Sequence, residues 1–385
     1  MSRMRNADFG LRIGASGSSN PKSEIDDFKS SNPQSELRIP QSKGENVMKK
    51  DHLRLIVPGL VLLFGCAVLS LRVLAGSAED AAHPYASTRP MPEPVIFGEG
   101  LISTADDELN ACFAPDGKTL YISKNLGSRM GVIVVSHFVK GKWSTPEVAD
   151  FSGRFSDYDP FFSPDGSKLF FISNRPTDVK ETKPKKDYDI WMVEKAGSVW
   201  SAPKNLGAPV NTDKDEYYPS LASDGTLYFS AMKETGKGSF DIYRSRFVDG
   251  KYTEPENLGE SVNGKMTEVD NYIAPDQSFL VFASYGRPDS LGSGDLYISY
   301  NRNGSWTPAR HLGGGINSTA REYCPIGSPD GKYFFFTSFR GFVDQPPAKR
   351  LTYQELTGKL HSTLNGLGNI YQVDLSALGV DEKGK

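Results

Sequence analysis

The chain has 385 residues, with 44 basic and 47 acidic side chains and a formal charge of −3. It contains 38 Gly, 25 Pro, 17 Tyr and 22 Phe, a composition that predicts a large globular domain with many turns. The near-neutral balance and the lack of a long basic stripe argue against a nucleic-acid partner. Three widely spaced cysteines (Cys66, Cys112 and Cys324) form no zinc-binding or disulfide-framework pattern.

The N-terminal part of the chain has the pattern of an export signal. Residues 1–47 are polar and poor in aromatic side chains, so we expect them to be disordered and translation to start at Met48. Basic residues then precede a 17-residue uncharged stretch, Leu55 to Leu71, and small residues follow it. This order is typical of a secretory signal, but the stretch is also long enough to span a membrane.

Residues 48–78 are therefore either a cleaved signal peptide or an uncleaved anchor, and residues 79–92 are expected to be a linker. Cleavage would place the protein in the periplasm or outside the cell. An uncleaved segment would attach it to the inner membrane through Leu55 to Leu71.

The stretch Asp157–Arg175 predicts a β-hairpin. Two runs of aromatic and branched residues flank Pro164-Asp165-Gly166. Proline presets φ, aspartate bonds the backbone ahead of it, and glycine tolerates positive φ, so these three residues favour a tight turn.

Five such hairpins recur along the chain. Their turn aspartates are spaced 49, 59, 52 and 54 residues apart and are Asp116, Asp165, Asp224, Asp276 and Asp330. A third apolar strand and a short fourth strand follow most hairpins, the latter reading Asn-Leu-Gly-x-x-Val-Asn at 205–211 and 257–263. Four antiparallel strands in each repeat of about 50 residues, without helical periodicity, predict an all-β fold, a five-bladed β-propeller.

Closure of the ring is also predicted. The segment 94–103 matches a fourth strand but precedes the first hairpin, whereas the last repeat lacks that strand. We expect the N-terminal segment to complete the last blade and remove the exposed sheet edges. The propeller then covers residues 93–377, and residues 378–385 form a tail.

The Ser-Pro-Asp-Gly hairpins, each preceded by an acidic residue and often by Tyr-x-Pro, resemble the TolB-type β-propeller repeat, a relative of the WD repeat. The resemblance covers residues 93–377 and implies protein interaction in the cell envelope. Members of that family often have six blades, which is the alternative to five. No Gly-x-Ser-x-Gly nucleophile motif occurs in the propeller, so we expect a stand-alone propeller without a hydrolase domain.

A carboxylate lies eight residues before every turn aspartate. These five residues are Glu108, Asp157, Glu216, Glu268 and Glu322. They open the innermost strands, so one interpretation is a ring of ligands at the channel mouth, able to hold calcium. The other interpretation, which we favour, is that each caps its strand or pairs with a basic residue on the same face, such as Arg175, Arg287 or Arg340.

The column two residues further on breaks the symmetry of the repeat. Its members are Asn110, Asp159, Tyr218, Asp270 and Cys324. Asp159 and Asp270 are the first pair to test if the protein is an enzyme, because glycosidases use two carboxyl groups in different environments. Cys112 and Cys324 lie on the first and last blades, and a disulfide between them would need Cα atoms within about 7 Å.

The sequence thus favours an exported, envelope-associated propeller that binds a protein or small ligand without catalysis and without a cofactor. The long insertions 176–186 and 341–367 leave the same face as the carboxylates and mark it as the interaction face. Two alternatives stay open at this point. One is a glycosidase-like enzyme with carboxylates at the axis, and the other is a sugar or peptide sensor.

Overall fold

A computed structural model describes residues 83–127, 130–341 and 347–380. In this part nearly all of the regular secondary structure is β-strand. The expected disorder of residues 1–47, the signal or anchor at 48–78 and the attachment through Leu55 to Leu71 lie outside the described residues. Within the described ranges, no helix has the length and apolar character needed to cross a membrane.

Five antiparallel sheets follow one another along the chain, as the repeats predicted, so the fold is a five-bladed propeller and not a six-bladed one. The first strand, β1 (Val95–Ile96), belongs to the last blade. The first blade contains β2 (Glu108–Phe113), β3 (Thr119–Asn125), β4 (Gly131–Val139), β5 (Lys142–Trp143) and β6 (Glu147–Val148). The second contains β7 (Asp157–Phe162), β8 (Lys168–Ser173), β9 (Asp189–Ala196), β10 (Val199–Trp200) and β11 (Lys204–Asn205).

The other three blades repeat this order. The third contains β12 (Glu216–Leu221), β13 (Leu227–Ala231), β14 (Asp241–Ser245), β15 (Phe247–Val248), β16 (Lys251–Tyr252) and β17 (Glu256–Asn257). The fourth contains β18 (Thr267–Ile273), β19 (Phe279–Tyr285), β20 (Asp295–Arg302), β21 (Ser305–Trp306) and β22 (Arg310–His311). The fifth contains β23 (Glu322–Gly327), β24 (Tyr333–Ser338), α1 (Tyr353–Leu360) and β25 (Asn369–Asp374), and a 3-10 helix (Leu375–Leu378) follows.

The two faces of the propeller carry different ends of the inner strands. The inner strands begin at the carboxylate face and run to the turn face, where the hairpin turns lie. Gly117, Gly166, Gly225 and Gly331 follow their turn aspartates with positive φ, as the turn pattern predicted. In the fourth blade, Gln277 takes this position with φ +59°.

The ring closes through the N-terminal strand. β1 pairs antiparallel with β25, Val95 opposite Gln372 and Ile96 opposite Tyr371. Phe97 follows β1 and packs edge-on against Phe335, with ring centroids 5.2 Å apart. The predicted closure is confirmed.

The residues before β1 also pack against the propeller. The Tyr85 ring is buried and contacts Phe113 and Phe335, at centroid distances of 4.8 and 6.0 Å. Its carbonyl oxygen accepts a 2.6 Å hydrogen bond from Gln372 Nε2. The part of the expected linker that the structure describes is therefore seated on the first and last blades.

The Asn-Leu-Gly-x-x-Val-Asn segments clip the fourth strand to the third. Asn263 is fully buried, accepts from Ile242 N at 2.8 Å and donates to Ile242 O at 2.9 Å. It also donates to Asn257 Oδ1, and Asn257 in turn donates to Asp241. The second blade repeats these contacts around Asn211, and the fourth blade does so with His311 in place of the first asparagine.

The insertion 341–367 contains the helix α1, which the sequence reasoning missed. Thr352 Oγ1 accepts from the Glu355 backbone N–H, and the Glu355 carboxylate accepts from the Thr352 backbone N–H, a capping box. The Thr-x-x-Glu spacing at 352–355 was the signal that could have predicted it.

Candidate functional site

The first carboxylate column is buried inside the blades. All five members are 0% exposed. The expectation that they open onto the channel mouth needs correction, because each side chain lies within its sheet and accepts hydrogen bonds there. Three are capped by a Ser or Thr four residues earlier, for example Glu322, which accepts from Ser318 N at 2.8 Å and Ser318 Oγ at 2.6 Å.

Basic residues at the end of the second strand, or two residues beyond it, complete these sites in four blades. Arg175 Nη2 lies 2.6 Å from Asp157 Oδ1, and Arg287 Nη2 lies 3.0 Å from Glu268 Oε1. Arg340 Nε lies 3.2 Å from Glu322 Oε1, and Lys124 Nζ lies 2.9 Å from Glu108 Oε1. These contacts are the ion pairs of the favoured interpretation.

Each arginine also stacks on aromatic rings of its own blade. Arg287 lies 4.6 Å from the Tyr297 ring centroid, and Arg175 lies 4.9 Å from that of Phe171. Carboxylate, guanidinium and ring thus form a repeated structural unit. Its carboxylate oxygens already accept hydrogen bonds from the fold, so this column is not the candidate site.

Glu216 is the exception in this column. It accepts from Thr212 N and Oγ1 at 3.1 and 2.6 Å, and no described lysine or arginine lies within ion-pair distance. Burial raises its pKa to about 7, opposed by the hydrogen bonds from Thr212.

The second column lies at a β-bulge in every inner strand. All five members adopt left-handed backbone conformations, with φ between +44° and +55°. The pairing register shifts at each of these positions, for example between Tyr158 and Phe161. A bulge re-aims its side chain, and here it turns the column toward the propeller axis.

The contact of the Tyr218 side chain shows that it points toward the axis. It is 1% exposed, and its hydroxyl donates to Pro325 O at 2.9 Å. The two residues belong to the third and fifth blades, which are not neighbours in a ring of five. The Tyr218 side chain therefore crosses the axis.

Asp159 and Asp270 face each other in the same place. Burial raises the pKa of Asp159 well above its usual range, and the nearby Asp270 carboxylate raises it further, against the Tyr218 backbone N–H. Burial also raises the pKa of Asp270 to about 7, against the nearby Arg321 guanidinium and the Cys324 backbone N–H. The structure thus brings together the two second-column acids that the sequence singled out.

A row of rings lies beside Asp159 at the carboxylate face. We call Tyr158, Tyr188, Tyr217 and Phe240 the aromatic row. Successive ring centroids are 6.1, 5.8 and 5.3 Å apart, and the three tyrosines are half-buried. The proximity of Asp159 contributes to the raised pKa of all three tyrosines, behind burial as the main cause.

The row is held rigidly. Tyr158 Oη donates to Asn125 Oδ1 at 2.7 Å, and Tyr188 Oη donates to Ser156 Oγ at 2.8 Å. Gly131 leaves room for the Tyr158 ring, since a Cβ at Gly131 would lie 2.2 Å from it.

The opposite side of the mouth is built around Arg321. Its guanidinium carbon lies 5.1 to 5.9 Å from the ring centroids of Tyr285, Tyr323 and Phe339. The positive charge of Arg321 opposes the rise that burial causes in the pKa of Asp270. Each axial acid thus has an aromatic cluster beside it, but the two surroundings differ in charge.

The possible disulfide between Cys112 and Cys324 is not formed, and both residues are free, buried thiols. Burial raises the pKa of Cys112 to about 12, and the backbone N–H of Phe162 in the second blade opposes the shift. Cys324 instead lies in the axial column, near Asp270 and Asp159. The two thiols face different surroundings, which is the physical reason that they do not pair.

Across the described ranges, no three His, Cys, Asp or Glu side chains converge in a way that could hold a metal ion. The calcium interpretation of the first column therefore stays a prediction without a matching cluster.

Sequence reasoning missed Tyr188, Phe240, Tyr285 and Arg321. Tyr188 and Phe240 each directly precede the aspartate that opens a third strand. An aromatic residue at that repeated position was the available signal.

Comparison with known proteins adds little beyond the fold. No protein-family profile matches the chain, and no curated protein sequence matches it. Solved structures with a similar arrangement include TolB proteins of Agrobacterium tumefaciens (17% identity, 70% of this chain and 90% of that chain, TM-score 0.42) and Acinetobacter baumannii (16%, 69% and 54%, 0.42). They also include an alpha-L-arabinofuranosidase of Lactobacillus brevis (10%, 72% and 92%, 0.43).

This chain spans about half of the Acinetobacter protein. At such identities and TM-scores the likeness carries no argument about function. The five-bladed fold rests on the chain's own strand pairing, and membership of the TolB repeat family stays a prediction.

Proposed function

We propose that this protein is an exported, envelope-associated propeller that binds a ligand at the axial mouth of its carboxylate face and does not transform it. The observation that carries the proposal is the meeting of Asp159 and Asp270 beside the rigid aromatic row. Clefts that combine apolar rings with a few convergent polar groups and shifted pKa values are preferred binding sites.

Export rests on the sequence pattern of residues 48–78. Peptide mass mapping of the native protein from fractionated cells tests it. We expect the protein in the envelope fraction, beginning either after the apolar stretch or at Met48. A native peptide from residues 20–40 would contradict the Met48 start, and recovery in the cytoplasm would contradict export.

Binding is tested by isothermal titration of the full chain with a panel of oligosaccharides, peptides and organic cations. We expect at least one class to bind, with loss of binding in Tyr217→Ala and Asp159→Asn. Lys332→Ala, an exposed residue on the turn face, is the matched control and should bind normally. If no class binds, or if the mouth variants bind as the native protein does, the proposed function is wrong.

A hydrolase is the second candidate, because the two axial carboxyls have different surroundings. Asp270 faces Arg321, whereas Asp159 faces tyrosines and the other acid. An acid–base pair needs such a difference. Turnover of a plant or bacterial polysaccharide that is abolished by Asp159→Asn would favour this candidate, and absence of turnover across the panel favours pure binding.

A further inference from the structure

We propose that the Asp159 side of the mouth binds an organic cation, a primary ammonium or guanidinium group carried on a polyamine or a peptide. This inference rests on the proposed function and specifies its ligand. Three observations carry it: the kind of polar atoms at the axis, the contrast between the two aromatic clusters, and the apolar lining of the mouth.

The polar side-chain atoms at the axis are mainly acceptors. Asp159 and Asp270 contribute carboxyl oxygens, and Asn110 adds its amide oxygen. Asn110 is 1% exposed, shares the left-handed bulge position with them, and its Oδ1 has no hydrogen-bond partner among the described residues. A buried acceptor without a donor is costly, and a ligand rich in N–H groups would satisfy it.

The two aromatic clusters indicate the charge of that ligand. On one side, the fold itself places a guanidinium, that of Arg321, among three rings beside Asp270. On the other side, the rings of Tyr158, Tyr188 and Tyr217 follow one another at 6.1 and 5.8 Å, and Asp159 lies near enough for its charge to contribute to their raised pKa values. No lysine or arginine of the described chain stacks on these three rings, so the equivalent cation would come from the ligand.

The lining favours an organic cation over a metal ion. Tyrosine and phenylalanine rings attract a weakly hydrated ammonium or guanidinium through their negative faces. They supply no ligands to a hard metal, which prefers six to eight oxygens. The row ends in Phe240, which is apolar and suits the alkyl stem of a lysine, an arginine or a polyamine.

Binding of a cation should also release protons. The titratable or charged groups around the two acids and the aromatic row are Tyr158, Tyr188, Tyr217, Tyr218, Tyr285, Arg321, Tyr323 and Cys324, with Asp107 near Tyr158 and Tyr323, Asp157 near Tyr188, Asp215 near Tyr188 and Tyr217, and Cys112 near Tyr218. An approaching cation favours the charged carboxylates. Affinity should therefore rise between about pH 6 and 8, since the pKa of Asp270 is about 7.

The test is calorimetric titration of the full chain with cadaverine and agmatine. The neutral isostere 1,5-pentanediol and calcium chloride serve as controls. We expect both cations to bind, with the diol and calcium at least about tenfold weaker. In Asp159→Asn, which keeps the side-chain shape and tolerates the left-handed backbone, cation affinity should fall about tenfold or more, while Lys332→Ala should bind as the native chain does.

Three outcomes would overturn the inference. They are equal binding of the diol and cadaverine, unchanged cation affinity in Asp159→Asn, and binding of calcium in place of the amines. If a sugar binds at the mouth and amines do not, this inference fails while the proposed function stands. Lysine- or arginine-containing peptides compared with the free amines then identify whether the source is a peptide or a polyamine.

Discussion

Glu216 and Glu268 occupy equivalent positions in neighbouring blades, yet only Glu268 has an arginine partner. Both are fully buried. Arg287 pairs with Glu268 at 3.0 Å, whereas Glu216 accepts hydrogen bonds from Thr212, has only the more distant charge of Lys233 near it among the described residues, and has a pKa that burial raises to about 7. A buried carboxylate without a paired cation favours its protonated form. The ion pair of Glu268 therefore stabilises the fold, whereas ionisation of Glu216 destabilises it.

We therefore expect Glu216→Gln to gain stability relative to the native chain as the pH rises. The folded-state pKa of Glu216 lies above its unfolded value, so the native state binds more protons between about pH 4.5 and 7. The free energy of unfolding contributed by this group falls across that window, and glutamine removes the slope. Urea denaturation of both proteins at pH 5 and pH 8 measures it.

Glu268→Gln is the matched comparison. It removes the charge that Arg287 faces, so we expect a loss of about 2 kcal/mol at both pH values. An identical pH response of the two variants would contradict the assignment.

At the scale of the element, two devices shape each blade. The asparagine clip fixes the fourth strand against the third, and the left-handed bulge turns one side chain of the inner strand toward the axis. The clip recurs in three consecutive blades with matching distances. The repeated Asn-Leu-Gly-x-x-Val-Asn segment was visible in the sequence, but the sequence did not indicate that its last asparagine bonds to the third strand.

Asn263→Ala tests the clip. The change leaves the buried N–H of Ile242 without the acceptor it has at 2.8 Å and removes one of the two donors to Ile242 O, which keeps the bond from Leu258 N, so we expect a loss of about 2 kcal/mol in the free energy of unfolding. Glu260→Ala, in the same segment, breaks only an exposed ion pair with Lys237 and should leave the free energy of unfolding nearly unchanged. Equal losses in chemical denaturation would show that the clip does not contribute as described.

The left-handed bulge is the feature of each blade that could not be predicted from the sequence. The hairpins, the blade number and the ring closure follow from local patterns of turns and alternation, and all were predictable. Strict alternation would give residues 157 and 159 the same environment, but the left-handed turn at Asp159 separates them. Asn and Asp tolerate this conformation, whereas Tyr218 and Cys324 give no such hint. The inward turn of the column therefore could not be foreseen.

For the whole molecule, stability depends on the short strand β1. It covers the edge of β25, and Phe97 directly after it joins a ring cluster with Phe113, Phe335 and Trp143. Without it, the last sheet would present an unpaired edge, which invites pairing with other chains.

Two truncations test this dependence. A chain starting at residue 83 keeps Tyr85, β1 and Phe97, and should unfold at the same temperature as the full chain. A chain starting at residue 99 loses all three and should unfold at a lower temperature and aggregate, as seen by size-exclusion chromatography. Equal melting temperatures for the two would contradict the role of β1 in closure.

The crossing of the axis by Tyr218 has a consequence for exchange. With its hydroxyl bound to Pro325 on a non-neighbouring blade, the Tyr218 side chain lies across the axis of the propeller. We therefore expect a molecule bound beside Asp159 to enter and to leave through the carboxylate face. We expect a second protein bound over the carboxylate face to block this exchange. The ligand would then have to bind before the covering partner.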